Sequence, residues 1–596
     1  MISLSKFIKH VPSIFFKEMP RRCTLARGYT IQRHFITVSS KPNVKFNINL
    51  NQKLNQSKSL EELQNFYNSS ASHMNLINFS TLLKKINDFT TAENGIPQKL
   101  AEDIPQKILI LIKKDLKQAD ASEVDARVLS NIFYYLNKNP RFEQYRQSFN
   151  AEIAKILPHY IPHMNDQELS TTLITLYQNE MDSFVPLIMN EATNKIQKFG
   201  IRAFCILIYQ TTKNDTESPA LYRKAAEYIQ SNQSFGNLTA QDYSNVLFSV
   251  CKRPELYLNQ EVVKKMERTG YLLRDKLNPV GLTSVFHSLC LLQQQIFSDN
   301  FYATFEKVIL GYLKQMNHIS FSNILRGYMI FHKGSPGFLQ KFAEEAIVRA
   351  ESLDLQSFST VFYYFSKPVN QDVFVKYANV LMNKRVSEFT PNQLQYLLYA
   401  LSVNIPLVQK LFPGGEVEKS FGGYIKENLE HFSEKELVSI AHSMKKLHFP
   451  RDSLIQMLLQ IDKRILTEPK ARQISSYSVL ELNILIFEIL LKSDESQLEQ
   501  EKMITPVIKK VFDLTKQRIL AYKDGKERPT EAKGSQERMI IQGIIRFFRN
   551  NIESSPQKIL PLCDEDFLRL IEEVNQEFQQ DSETSESQAS LEFIRF

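Results

Sequence analysis

The chain has 596 residues, and its hydrophobic content of 43% is enough to form a buried core and excludes wholesale disorder. The net charge of +8 comes from residues 1–50, which hold nine of the 73 basic residues but one of the 65 acidic ones, so the rest of the chain is neutral. That neutrality argues against tight, indiscriminate binding of polyanions by the main body. Glycine and proline are scarce and no long stretch alternates with period two, which favours an all-helical chain.

The first 35 residues are basic, almost free of acids, and contain Ser, Thr and bulky apolar residues. This composition is typical of a mitochondrial transit peptide, and Arg33-His34-Phe35 has an Arg-x-aromatic pattern. A secretory signal fits less well because no uninterrupted apolar stretch follows the first charges; a basic, disordered N-terminus is the other alternative. We therefore expect a transit peptide at 1–35, a flexible segment at 36–54 and a location in the mitochondrial matrix.

A phrase recurs about every 39 residues from there on, with an aromatic residue or Leu at position 0 and apolar residues at positions 3, 4 and 7. Four copies are in strict register, starting at Tyr243, Leu282, Phe321 and Phe358. Positions 0, 3, 4 and 7 form one stripe of a helix. The full set of anchors at position 0 is Phe79, Leu129, Leu169, Phe204, Tyr243, Leu282, Phe321, Phe358, Leu394, Leu437 and Leu480.

A second helical stretch follows each phrase, and Gly or Pro residues separate the units. The fold class predicted is all-α, an α-solenoid of about ten or eleven helix-turn-helix repeats of roughly 35–43 residues, over residues 55–515. A charged loop is expected at 516–536, a helical segment at 537–580 and an acidic tail at 581–596. The most apolar stretch, Leu480 to Leu491, is too short to span a bilayer, so we expect no membrane span.

Positions 2, 5 and 9 of the phrase point away from the apolar stripe, and we call them the outward face. For the ten anchors from Phe79 to Leu437, the thirty residues of this face include one acid, Asp88, where three or four would be expected. Small polar side chains can read base edges, aromatic rings can stack on bases, and Lys can neutralise phosphates. A protein partner or packing between repeats would explain the same residue types. The predicted RNA contacts are Tyr134, Asn131, Asn245, Lys252, His287, Asn323, Arg326, Tyr363, Lys367, Tyr399 and Lys446.

No enzymatic motif is recognisable: the P-loop, GxGxxG, HExxH and GxSxG patterns are all absent from the sequence. The five cysteines lack CxxC spacing, and Cys251 and Cys290 fall at equivalent positions of their repeats, which favours reduced core residues. We therefore expect no catalytic residues, no metal and no cofactor.

The repeated phrase resembles organellar helical-repeat RNA-binding proteins, namely the octotricopeptide and heptatricopeptide repeat families and the repeat region of FAST-kinase-like mitochondrial proteins. Residues 129–136 (LSNIFYYL) and 394–401 (LQYLLYAL) are most similar to them. The resemblance implies a matrix α-solenoid that binds transcripts or ribosomal RNA and affects their stability, processing or translation. The RAP domain that often ends such proteins is not recognisable, because residues 500–596 read as helical, so RNA cleavage is not expected.

Two hypotheses on function therefore lead. The first is a mitochondrial protein that binds single-stranded RNA. The second is a scaffold or accessory subunit of a large mitochondrial assembly, such as the mitoribosome or a respiratory complex. A divergent RNA-processing nuclease is the weakest alternative.

Overall fold

The computed structural model describes residues 42–90, 95–117, 125–257, 259–292, 295–366, 370–464, 466, 476–491, 498–523 and 531–584. These residues form α-helices joined by short turns and 3-10 segments, and no strand occurs among them. The predicted all-α fold is therefore confirmed. The chain divides into two compact units, Met1–His163 and Met164–Phe596. The expected transit peptide at 1–35 lies outside the described residues.

The described residues of unit 1 form three pairs of helices. In each pair the first helix carries the phrase or takes the corresponding place. Helix α3 (Leu76–Phe89) packs between α1 (Pro42–Gln56) and α5 (Ala126–Lys138), while α4 (Gln98–Lys117) packs on α6 (Glu143–Tyr160). The segment expected to be flexible at 36–54 is helical from Pro42 onward. The helices are α1 (Pro42–Gln56), α2 (Leu60–Ser70), α3 (Leu76–Phe89), α4 (Gln98–Lys117), α5 (Ala126–Lys138) and α6 (Glu143–Tyr160).

Unit 2 continues the alternation of first and second helices. Its helices are α7 (Asp166–Gln178), α8 (Val185–Lys195), α9 (Ile201–Lys213), α10 (Pro219–Ser231), α11 (Ala240–Lys252), α12 (Pro254–Tyr257), α13 (Gln260–Leu273), α14 (Pro279–Leu289), α15 (Asp299–Tyr312), α16 (His318–Met329), α17 (Pro336–Arg349), α18 (Leu355–Ser366), α19 (Gln371–Met382), α20 (Pro391–Val403), α21 (Ile405–Leu411), α22 (Glu416–Glu427), α23 (Glu434–Lys446), α24 (Arg451–Arg464), α25 (Ser476–Leu491), α26 (Leu498–Lys523), α27 (Glu531–Ser554), α28 (Pro556–Ile559) and α29 (Glu565–Thr584).

The first helices of unit 2 form one layer in which each packs against the next, in the order α7, α9, α11, α14, α16, α18, α20, α23, α25. The second helices form the other layer. Every anchor residue of the phrase lies on a first helix and is buried. Burial of this stripe at positions 0, 3, 4 and 7 is what holds the two layers together. The tandem pairing predicted from the periodicity is thus present within the unit.

A capping residue stands four positions before the anchor in the first helices. Thr239, Asn278, Asn317, Thr390 and Ser433 each accept a hydrogen bond from the backbone N–H three residues later. Such caps satisfy amides that have no partner within the helix. The cap therefore sets where each first helix begins, and it is a part of the repeat that the apolar pattern alone does not reveal.

Long basic side chains cap the opposite ends of the second helices. Lys224, Lys265, Arg349 and Arg464 each donate to backbone carbonyls near the end of the preceding second helix, and Arg349 reaches the carbonyls of residues 313, 314 and 316. A cation at a helix C-terminus satisfies free carbonyls and interacts favourably with the helix dipole. These four cations have a structural role between neighbouring repeats.

Two first helices approach each other closely at Gly327. A Cβ atom added there would lie 2.9 Å from the Cβ and from the carbonyl oxygen of Phe286. Only a residue without a side chain permits this spacing between α14 and α16. His287 directly follows Phe286 on α14, and Arg326 directly precedes Gly327 on α16. These two residues therefore lie on the two helices that approach each other closely.

The C-terminal part is more helical than expected. Helix α26 continues to Lys523 and α27 begins at Glu531, so the charged loop expected at 516–536 is helical at both ends. Helix α29 extends to Thr584, into the expected acidic tail, whose residues 585–596 lie outside the described residues. None of the described helices has both the length and the apolar content needed to cross a bilayer.

Candidate nucleic-acid interface

The structure places most of the predicted contacts at half-buried positions rather than fully in solvent. Among them the exposed one is His287, and Lys367 lies outside the described residues. The half-buried ones are Asn131, Tyr134, Asn245, Lys252, Asn323, Arg326, Tyr363, Tyr399 and Lys446. The outward face is therefore a surface whose side chains also contact their neighbours.

The side chains at position 5 of unit 2 lie on successive first helices, and some neighbours among them are in contact. We call them the position-5 row: Ile174, Tyr209, Phe248, His287, Arg326, Tyr363, Tyr399 and His442. The rings of Tyr209 and Phe248 are 5.3 Å apart, and those of Tyr363 and Tyr399 are 5.0 Å apart. These are ordinary distances for paired aromatic rings. The row thus combines aromatic pairs at two places with two basic side chains between them.

Four tyrosines gather where α18 and α20 meet. Tyr363 stacks on Tyr396 at 4.7 Å with an interplanar angle of 27°, and it meets Tyr364 edge to face at 4.9 Å. Tyr399 completes the group from the next turn of α20. Burial raises the pKa of Tyr363 to about 12, so its hydroxyl is neutral at pH 7. Tyr363, Tyr396 and Tyr399 present half-buried aromatic faces, whereas Tyr364 is buried.

Arg326 lies next to this tyrosine group. Its guanidinium is within hydrogen-bonding range of the Tyr364 hydroxyl, and Tyr363 and Tyr396 are also close enough to interact with its charge. Its Nε is buried and has no hydrogen-bond partner among the described residues. On the other side, the exposed ring of His287 is crowded by surrounding protein, and this desolvation, together with the charge of Arg326, lowers the pKa of His287.

The lysines at position 9 differ from one another in their surroundings. Lys213 lies over the Tyr209 ring at 5.9 Å, and Lys252 lies over the Phe248 ring at the same distance. Lys252 also donates to the carbonyl of residue 212 at 2.9 Å and pairs with Asp215 at 2.9 Å. The charge of Lys252 therefore already caps the C-terminal end of the preceding first helix. Lys252 is consequently less suited to bind a phosphate than its position in the repeat predicted.

At the far end of the row, one residue of the outward face is covered. His442 is buried, although His287 at the same position of its repeat is exposed. Helix α25, most of whose residues are buried, packs beside α23 at this end. Burial, with smaller effects from Lys446 and Lys445, lowers the pKa of His442 to about 4. The sequence-based placement of His442 on an accessible face is thus wrong.

Unit 1 carries a smaller version of the same arrangement on α5. The Tyr134 and Tyr135 rings meet edge to face at 5.1 Å, and Lys138 lies over the Tyr134 ring at 5.3 Å. Asn131, one turn earlier, is half-buried on the same helix. The predicted contacts Asn131 and Tyr134 therefore lie together, beside a lysine.

A further row belongs to the outward face and was not considered from the sequence. Position −2 points within 40° of positions 2, 5 and 9 by helix geometry. Gln241 at this position donates to Asn245 at 3.0 Å, and Val280 and Ile319 are exposed apolar residues on adjacent first helices. From α7 to α23, positions −2, 2, 5 and 9 of the first helices carry no Asp or Glu. The same helical-wheel reasoning applied one turn earlier would have found this row.

The acids of these helices instead lie in the first turn. Glu168 and Glu436 form capping boxes with Asn165 and Ser433, and Asp242 accepts a hydrogen bond from the Thr239 hydroxyl. An acid there interacts favourably with the helix N-terminus. The other five first helices from α7 to α23, namely α9, α14, α16, α18 and α20, contain no Asp or Glu at any position. The scarcity of acids therefore extends to these helices as a whole beyond their first turns and includes the outward face. Among the described residues, no group of three or more His, Cys, Asp or Glu could hold a metal ion.

Comparison with known proteins identifies no family. No protein-family model matches the chain, and no curated protein matches it. Among known structures, the chain is similar to part of a homology model of the full-length AP-3 complex in an intermediate open conformation, with 12% identity over 90% of this chain and 98% of that chain. The TM-score is 0.31, and a likeness at this level carries no argument about function.

Proposed function

We propose that this chain is a mitochondrial helical-repeat protein that binds single-stranded organellar RNA and thereby affects the stability, processing or translation of a transcript or ribosomal RNA. The observation that carries the proposal is the outward face of unit 2: from α7 to α23 it lacks acids and combines aromatic rings with Arg, His and Lys. A single strand offers both phosphates for the cations and unpaired bases for the rings.

The tyrosine group supports this reading over general polyanion binding. Tyr363, Tyr396 and Tyr399 are half-buried, so their orientation is restricted before any ligand arrives, and stacking on them costs little side-chain entropy. Base stacking on an aromatic side chain contributes about 1–3 kcal/mol per base. A chain whose body is electrically neutral would depend on such contacts more than on its net charge.

The test combines RNA crosslinking in isolated mitochondria with binding measurements on the purified protein. We expect discrete transcript sites, and we expect single-stranded RNA to bind more tightly than duplex RNA of the same length. Replacing Tyr363 and Tyr399 by Ala should weaken binding, whereas Tyr424→Ala, on second helix α22, is the matched control and should not. Crosslinking without transcript preference, or equal effects of all three changes, would refute the proposal.

The second candidate is a scaffold or accessory subunit of a large mitochondrial assembly. It is favoured by Val280 and Ile319, which are 47% and 56% exposed on adjacent first helices of the same face. Apolar side chains there suit a protein partner better than a phosphate backbone. Co-purification with one assembly that persists after RNase treatment would favour this candidate.

The location in the matrix is a separate part of the proposal and depends on residues 1–35. A fluorescent reporter fused to residues 1–40 should be imported into mitochondria and lose its leader. A diffuse cytosolic signal would contradict this part without affecting the argument on RNA binding.

A further inference from the structure

Arg326 is the least compensated cation of the position-5 row. The groups that act on its charge besides burial are the Cys290 thiol and the Tyr364 and Tyr396 hydroxyls. The Cys290 thiol and the Tyr364 hydroxyl are neutral at pH 7, because burial raises the pKa of Cys290 to about 11 and raises that of Tyr364 well above its usual value. Among the described residues no carboxylate pairs with Arg326, and its buried Nε lacks a partner.

A partly desolvated guanidinium whose Nε has no acceptor, and which has only a neutral hydroxyl within hydrogen-bonding range, is costly unless a ligand supplies the missing acceptor. Arg349 of unit 2 has such acceptors: it donates to three carbonyls and pairs with Glu345 at 2.6 Å. Arg464 likewise donates to backbone carbonyls. The surroundings of Arg326 therefore differ from those of Arg349 and Arg464, which have a structural role. They also differ from those of Arg253, whose Nε also lacks a partner but whose guanidinium pairs with Asp215.

We infer that Arg326, His287 and the tyrosines Tyr363, Tyr396 and Tyr399 form a subsite for one nucleotide of a single-stranded RNA, with the phosphodiester at Arg326 and the base against the tyrosine faces. This inference rests on the proposed function and names where on the outward face a nucleotide is held. The guanidinium donates to the phosphodiester oxygens, and the stacked pair Tyr363–Tyr396 lies beside it.

The charge of the subsite favours RNA over a phosphorylated peptide. One guanidinium matches the single negative charge of a phosphodiester, whereas a phosphoserine carries about −1.5 to −2 charges at pH 7 and is usually bound by several cations. His287 does not add a full charge at pH 7, because its pKa is lowered by desolvation and by Arg326. The neighbouring aromatic faces add a surface that a base can use and a phosphate cannot.

The experiment uses the full chain and a short oligouridylate that carries 5-iodouridine, a probe that crosslinks to stacked aromatic residues. The crosslinked peptide should contain α18 or α20. Arg326→Met should weaken binding about tenfold and reduce the slope of log affinity against log salt by about one. Arg326→Lys should retain the salt slope and part of the affinity. The matched control is Arg274→Met, an exposed arginine of unit 2 paired with Asp275, which should bind like the parent protein.

The outcomes separate the subsite from the proposed function. If the protein binds the probe but crosslinks elsewhere, and Arg326→Met and Arg326→Lys bind as tightly as the parent, the subsite is refuted and RNA binding stands. If neither the parent nor any variant binds RNA, both are refuted. Binding of a phosphopeptide that displaces no RNA and is lost in Arg326→Met would assign Arg326 to a protein partner and overturn the inference. Thermal unfolding of each variant checks folding, and Arg326→Lys carries the test if Arg326→Met is unfolded.

Discussion

The substitution Gly327→Ala tests the close approach of first helices that places Arg326 beside its neighbours. The new methyl group would lie 2.9 Å from the Cβ, the Cδ1 and the carbonyl oxygen of Phe286. One of these atoms belongs to the backbone of α14, so the two helices must separate rather than rotate one side chain. Overpacking of this kind costs about 1–3 kcal/mol, and the better helix propensity of Ala returns up to about 1 kcal/mol. We expect a net loss of about 1–2 kcal/mol in local stability.

The control is Gly423→Ala on second helix α22. Gly423 is exposed, and a Cβ there meets nothing within 4 Å. With no clash, the change should stabilise α22 by up to about 1 kcal/mol through helix propensity alone. The two substitutions are chemically identical, so their difference isolates the contact with Phe286.

Amide hydrogen exchange read by mass spectrometry is the appropriate assay. Repeat arrays open locally, so a single unfolding midpoint would average over units that are not affected. Peptides from α14 and α16 should exchange about 5- to 30-fold faster in Gly327→Ala, and those from α22 should exchange more slowly in Gly423→Ala. Equal or increased protection of α14 and α16 in Gly327→Ala would refute the close packing of these two helices.

Three further predictions concern single residues of unit 2. Burial lowers the pKa of His442 to about 4, so the unfolded chain takes up the proton at a higher pH than the folded chain does. The free energy of unfolding should therefore be highest above pH 6.5, fall as the pH drops toward 4, and be about 2 kcal/mol lower at pH 5. An NMR titration midpoint of His442 near 6.5 would contradict this. Asn317→Ala removes the cap of α16 and should cost about 1 kcal/mol, measured as faster amide exchange in that helix. The control, Asn379→Ala, replaces an exposed residue and should not destabilise α19. Equal effects of the two substitutions would argue against the cap. Arg349→Met leaves three carbonyls of the preceding repeat without their donor and should cost about 2–3 kcal/mol of local stability. Amide hydrogen exchange in α15 and α17 should become faster. Unchanged exchange would show that the carbonyls find other partners.

The apolar periodicity predicted the helical layers correctly because it depends on each helix alone. A residue such as Phe321 or Tyr243 lies on the buried stripe whatever its neighbours are, since positions 0, 3, 4 and 7 share one side of any α-helix. The boundaries were less accurate where composition suggested flexibility. Charged residues near 516–536 read as a loop, yet helices α26 and α27 occupy much of that stretch. Helix propensity favours Lys and Glu, so charge alone does not indicate a loop.

The candidate site shows where sequence reasoning reaches its limit. Helix geometry states the direction of a side chain about its own axis, and it grouped Tyr363, Arg326 and His287 correctly on one face. It does not state the distance to the next helix, so it could not show that Tyr363 stacks on Tyr396 or that Lys252 caps a neighbouring helix.

What the sequence determined by itself is the repeated pair of helices and an outward face poor in acids, because both follow from the order of residues along one helix. What only the tertiary structure decided is how deeply that face is buried. Equivalent positions end differently, with His287 exposed and His442 buried, because the spacing and the covering of each first helix depend on its neighbours. Arg326 became distinguishable from the capping arginines for the same reason: a partner for a charge is a property of the packed helices and not of the position in a repeat.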